Sequence, residues 1–136
     1  MSSFLYVVLS SYLSETKSGK ILLAEDNLEV RTLCETILNS AGYKVTAASS
    51  GDQALELIES GKYNFELLLT DIIMPGINGK ELHEKALEFI PELKVLFMSG
   101  YTDNVIDIHF NFKKGRNFIQ KPFSNRDLLK KIKDIM

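Results

Sequence analysis

The sequence predicts an α/β fold, doubly wound, with helices on both faces of a five-stranded parallel sheet. One sign is the alternation of two hydrophobic periods. Strand-like apolar runs fall at 20–25, 44–48, 65–70, 94–98 and 116–120, and helical spacing fills the segments between and after them. A second sign is the shortness of the connections, which suits β/α units with right-handed crossovers. The third is the placement of polar residues. Glu25 and Asp26 end the first run, Asp71 follows the third, Ser99 the fourth and Lys121 the fifth. Open parallel sheets bind ligands beyond the carboxyl ends of their strands, where strand order reverses, so these five groups should share one edge.

Residues 1–19 stand outside the repeat as an N-terminal extension or linker, and 20–136 form the domain. Phe4–Leu9 is apolar but short, without the basic start and small-residue cleavage site of a signal peptide. Ser and Gly make 10–19 read as a linker. The extension fits the remnant of an upstream domain, an extra strand or an expression artefact. The first helix starts after Asn27, a good N-cap, and stops at Ala41-Gly42, where glycine supplies the left-handed turn. A second spans about 52–60 and ends at Gly61. The third carries Leu82, Ala86, Phe89 and Ile90 on one face and stops before Pro91. A fourth covers about 103–113, ending near Gly115. The last begins at Ser124, with Asp127 as an approximate capping box, and buries Leu128, Ile132 and Ile135.

With 136 residues, the chain is one domain that can bury a core without metal or disulfide staples. A net charge of −2 with no basic stripe argues against nucleic acid. No apolar stretch approaches the roughly 20 residues of a membrane-spanning helix, so no direct membrane contact is expected. The single cysteine, Cys34, excludes an internal disulfide and favours a reducing, cytoplasmic location. It falls on an apolar stripe with Val30, Leu33, Ile37 and Leu38, which makes it core packing.

The chemistry lies in the strand ends. Two like charges about 4 Å apart repel by roughly 4 kcal/mol at an effective dielectric near 20. Clustering Glu25, Asp26 and Asp71 therefore calls for a cation or for protons. An all-oxygen donor set open to water suits Mg²⁺; zinc would prefer His and Cys, and His83 and His109 fall on predicted helices away from the strand ends. Lys121 adds a compact positive charge and Ser99 a hydroxyl donor. Carboxylates, metal, ammonium and hydroxyl together make a site for handling a phosphoryl group, in which positioning and charge neutralisation do most of the catalysis.

Four motifs now stand in order: Ile21-Leu22-Leu23-Ala24-Glu25-Asp26-Asn27, Leu68-Leu69-Thr70-Asp71-Ile72-Ile73-Met74-Pro75-Gly76-Ile77-Asn78-Gly79, Phe97-Met98-Ser99-Gly100-Tyr101 and Phe118-Ile119-Gln120-Lys121-Pro122-Phe123. Over about 20–135 the chain resembles the receiver domains of two-component response regulators. The resemblance implies a flavodoxin-like (βα)5 fold with strand order 2-1-3-4-5. It implies Asp71 as phosphoacceptor, supplied by phosphohistidine on a histidine kinase or a histidine phosphotransfer protein. Asp26 and Asp71 would bind Mg²⁺, Glu25 would hold a metal-bound water, and the Ile73 carbonyl would be a further ligand. Lys121 would grip a phosphoryl oxygen, with a cis peptide before Pro122. Ser99 would turn toward the phosphoryl group and Phe118 would move inward behind it. Hydrolysis of the domain's own acyl phosphate is also expected, and a homodimer is compatible with the pattern.

Two rivals fail on named residues. A phosphatase of the haloacid dehalogenase class needs an acid two residues after its nucleophile, where this chain has Ile73. A flavodoxin needs a phosphate-cradling loop after strand one, where Glu25 and Asp26 would repel the anion. The third and fourth motifs, with the loose likeness of Phe4–Leu13 to the last strand of a kinase ATP-binding domain, resemble the C-terminal receiver of a hybrid sensor histidine kinase, whose parent chain would be the enzyme. The alternative is a free-standing single-domain regulator; in neither case is a DNA-binding output domain expected after the last helix. In the fourth helix Val105, Ile108 and Phe112 form one stripe. Ile106 and Phe110 lie toward another, where they meet a partner, unless the helix is irregular and Phe110 folds back into the core.

Overall fold

A computed structural model describes residues 19–101, 105–106 and 117–136. Strands β1 (Lys20–Ala24), β2 (Lys44–Ala48), β3 (Leu67–Asp71), β4 (Lys94–Ser99) and β5 (Phe118–Gln120) form one parallel sheet. Their order is β2-β1-β3-β4-β5, so the chain reverses direction across the sheet between β1 and β3. Among the described residues the helices are α1 (Leu28–Ser40), α2 (Gly51–Glu59), α3 (Gly79–Ala86) and α4 (Asn125–Ile135). None is long and apolar enough to cross a membrane.

The continuous apolar runs of β1, β3 and β4 are explained by burial on both faces, since alternate side chains point to opposite sides. Ile21, Leu23, Leu67, Leu69, Leu96 and Met98 pack with α1 and α4. Leu22, Ala24, Leu68, Val95 and Phe97 pack with α2 and α3. Cys34 is buried in the first of these layers, as its stripe predicts.

Local chemistry sets the helix ends. The Asn27 side chain accepts the Val30 N–H at 3.0 Å and starts α1 directly after the acidic pair. Gly42, at φ 94°, ends it, with the Tyr43 N–H donating to the Leu38 carbonyl at 3.1 Å. Ser124 accepts the Asp127 N–H at 3.0 Å and begins α4 three residues after Lys121. A reciprocal capping box between Asn78 and Glu81 fixes the start of α3.

Three expectations need correction. The third helix ends at Ala86, short of Pro91, because the Glu88 and Phe89 N–H groups bond three residues back, to Lys85 and Ala86. That tighter turn swings Phe89 out to 51% exposure, while Ile90 keeps its core contact. Leu33 is 54% exposed, since one residue along from buried Cys34 is a rotation of about 100° away from the core. Ile106 is fully buried in the layer under α2 and α3, so it belongs to the core and is no partner contact. Ile108, His109, Phe110, Phe112 and Gly115 lie outside the described residues, as does most of the predicted fourth helix.

Candidate functional site

Parallel register brings the predicted groups to one edge. Ala24 pairs with Thr70, which sets Glu25 level with Asp71. Asp71 pairs with Met98, one residue before Ser99, and Ser99 pairs with Gln120, one residue before Lys121. One oxygen each from Glu25, Asp26 and Asp71 lies within 4.8 Å of the others. Lys121 Nζ donates to Glu25 Oε1 at 2.5 Å and to Asp71 Oδ2 at 3.2 Å. The Lys121–Pro122 peptide is cis.

The three acids differ in setting. Glu25 is fully buried, Asp71 is partly so and Asp26 is exposed. Burial pushes the Glu25 carboxyl up to about 7, opposed by its bond to Lys121 and reinforced by the charge of Asp71. For Lys121, burial pulls downward, but its bonds and proximity to Glu25 and Asp71 outweigh that and hold the ammonium above its ordinary value. Burial likewise lifts the Cys34 thiol to about 11, which keeps it inert.

A divalent cation fits this arrangement. Three carboxylates face one ammonium, and Glu25 Oε2 is buried without a hydrogen-bond partner among the described residues. Such an orphaned acceptor demands a proton or a metal-bound water. All-oxygen ligation of few donors favours Mg²⁺. Proton and metal then compete. Folding raises the proton affinity of Glu25, so this group's contribution makes the metal-free protein less stable as pH climbs from about 4.5 to about 7. Saturating Mg²⁺ should therefore raise Tm more at pH 8 than at pH 6, and calorimetry should find severalfold tighter Mg²⁺ binding at the higher pH. Equal values at both would show that Glu25 carries no competing proton.

Ser99 is buried, and its Oγ accepts the Tyr101 N–H at 3.0 Å. Its own carbonyl accepts the Lys121 N–H at 2.8 Å, which links β4's end to the lysine. Phe118 is half-buried against the layer beneath α2 and α3. Ile73 lies in the loop after β3 and is 44% exposed. His83 sits apart on α3, its ring edge-on to Phe97 and its imidazole driven below the ordinary value by burial.

Two further residues, Gly79 from the second motif and Arg31 from outside the motifs, build the site through the main chain. Gly79 approaches so closely that a Cβ there would collide with the Asp71 carbonyl and lie 3.1 Å from the Ile72 Cα. Its N–H donates to the Ile72 carbonyl at 2.8 Å, closing the loop after β3. Arg31 donates to the Glu25 carbonyl at 2.8 Å and to that of Asp26 at 3.4 Å. Backbone acceptors carry no sequence identity, so only the oddness of a cation early in a helix could have pointed to it.

The response regulator receiver domain family matches residues 21–133. Response regulator receiver protein CpdR of Brucella abortus is 36% identical over 117 residues, which cover 86% of this chain and 96% of CpdR. Sensor kinase CckA of the same organism is 31% identical over 119 residues, 88% of this chain but only 13% of the kinase. Among solved structures, the receiver domain of the hybrid histidine kinase CckA superposes with a TM-score of 0.72 at 34% identity, covering 85% of this chain and 97% of that one. A response regulator receiver protein from Sinorhizobium medicae gives 0.78 at 27% identity, covering 88% and 95%.

Proposed function

The chain belongs to the response regulator receiver domain family, and from that membership we propose that Asp71 is its phosphoacceptor. Receiver domains interact with histidine kinases or phosphotransfer proteins and bind Mg²⁺ at an acidic pocket. The choice of Asp71 rests on one observation: of the three clustered carboxylates it alone is both reachable from solvent and bonded to Lys121. Glu25 shares the lysine but is sealed off, and Asp26 is open without that bond.

In the transfer, an Asp71 oxygen bonds to phosphorus as the P–N bond of phosphohistidine breaks and the imidazole leaves. Glu25, through a water, Asp26, Asp71 and the Ile73 carbonyl would hold Mg²⁺, which would supply positive charge to the phosphoryl oxygens. Lys121 would exchange its bond to Asp71 for one to a phosphoryl oxygen. Ser99 would donate its hydroxyl to another. The acyl phosphate carries more charge and more acceptor oxygens than the carboxylate, so both residues bind the modified state differently, as a population shift requires. Phe118 would follow inward, carrying the change to the surface near β5. Slow hydrolysis of the acyl phosphate would reset the domain.

The donor would dock over this edge. Leu28, Ile73 and Tyr101 are 65%, 44% and 52% exposed, and each lies two residues beyond a site residue, namely Asp26, Asp71 and Ser99. Such an apolar rim around a polar centre fits a protein partner. Leu28→Ser with Tyr101→Ser should slow transfer from a phosphorylated histidine phosphotransfer domain about tenfold, a loss of roughly 1.4 kcal/mol, while labelling by acetyl phosphate stays within about twofold. A parallel fall in both would show that the rim serves the chemistry and not the partner.

We favour attachment to a hybrid sensor histidine kinase, given the 34% identity to the CckA receiver. A free-standing regulator is the second reading, favoured by the 96% of CpdR that the chain spans. A kinase core encoded directly upstream of residue 20 would decide for the first.

A further inference from the structure

We propose that Arg31 is a positioning residue that aims Asp26 at the metal site by clamping the peptide groups on both sides of it. The inference rests on the Mg²⁺ reading above and adds a residue outside the acidic cluster. The Glu25 carbonyl belongs to the peptide before the Asp26 Cα, and the Asp26 carbonyl to the peptide after it. Arg31 Nη1 donates to both, at 2.8 and 3.4 Å. With the plane before Asp26 held firmly and the plane after it braced by a longer contact, the direction of the Asp26 Cβ is restrained by the backbone. That matters because the Asp26 carboxylate is exposed and has no hydrogen-bond partner of its own among the described residues.

The residue's position supports the assignment. Arg31 is the fourth residue of α1, where the helix dipole disfavours a cation. Its gain must come from elsewhere, and the carbonyls preceding α1 supply it. Both bonds leave the one Nη1, whose two N–H groups diverge at a fixed angle in the guanidinium plane; lysine would keep the charge but lose that fixed divergence.

The test compares Arg31→Gln, Arg31→Lys and Ile37→Ala, the last loosening α1 from its buried side without touching the clamp. Calorimetry with MgCl₂ should show about tenfold weaker binding for R31Q, and for R31K a loss within about threefold of that, with I37A close to wild type. Wild-type affinity in R31Q, or full rescue by R31K, would overturn the clamp; so would an equal loss in I37A, which would make the effect one of α1 stability. A second measurement needs no metal. In Mg²⁺-free protein the ¹⁵N order parameters of the Asp26 and Asn27 amides should fall from about 0.85 toward 0.6 in R31Q but not in I37A. Unchanged values would overturn the assignment even if wild type bound no Mg²⁺, an outcome that would sink the metal reading separately.

Discussion

Asp71→Asn should abolish incorporation of phosphate from acetyl phosphate and leave the domain folded. Asparagine keeps the shape of the side chain and one oxygen for Lys121, which retains its 2.5 Å bond to Glu25 in any case. What disappears is the anionic nucleophile and one of three mutually repelling charges. Tm in the absence of Mg²⁺ should therefore hold or rise, while Mg²⁺ binding weakens because the site has lost a charged ligand. Undiminished labelling of the variant would move the acceptor to another residue.

Lys121→Met should produce the largest change in stability, and the change should depend on pH. Breaking a buried ion pair by removing one partner typically costs about 3–5 kcal/mol, since the other charge is left stranded. Glu25, fully buried, is the group left behind. It has an escape: its carboxyl already sits near 7 and would rise further without the lysine, so it can take up a proton. The expected loss is about 2–3 kcal/mol at pH 8, or roughly 10 °C in Tm, shrinking markedly at pH 5 where Glu25 is neutral. Lys121 does not set this window, because its own raised value keeps it cationic throughout. An equal Tm loss at both pH values would show that packing, not charge, is what the lysine supplies.

How far the sequence spoke for the fold depended on where each residue faces. β1, β3 and β4 were plain to read because burial on both faces makes their central positions a continuous apolar run, and the acidic edge was plain because its members stand at or just after strand ends. Helix faces were harder. Leu33 and Phe89 look like core residues by composition, yet a 100° rotation in one case and a tighter turn in the other turn them to solvent. Ile106 went the other way: its burial depends on the layer beneath α2 and α3, which no local pattern around residue 106 encodes. Within the site, side chains that meet side chains were foreseen. Arg31, whose guanidinium meets main-chain carbonyls, was not, because a carbonyl is the same at every position.

The strand ends have a second side. Gly19 enters at the start of β1, bonded to the Glu66 side chain just before β3, and the end of α4 borders Lys94 and Asn117 at the starts of β4 and β5. Both gateways of the described fold thus open at the pole opposite the carboxylates. A segment joined at either gateway meets the domain away from the acceptor pole, so its point of attachment does not itself cover the carboxylates.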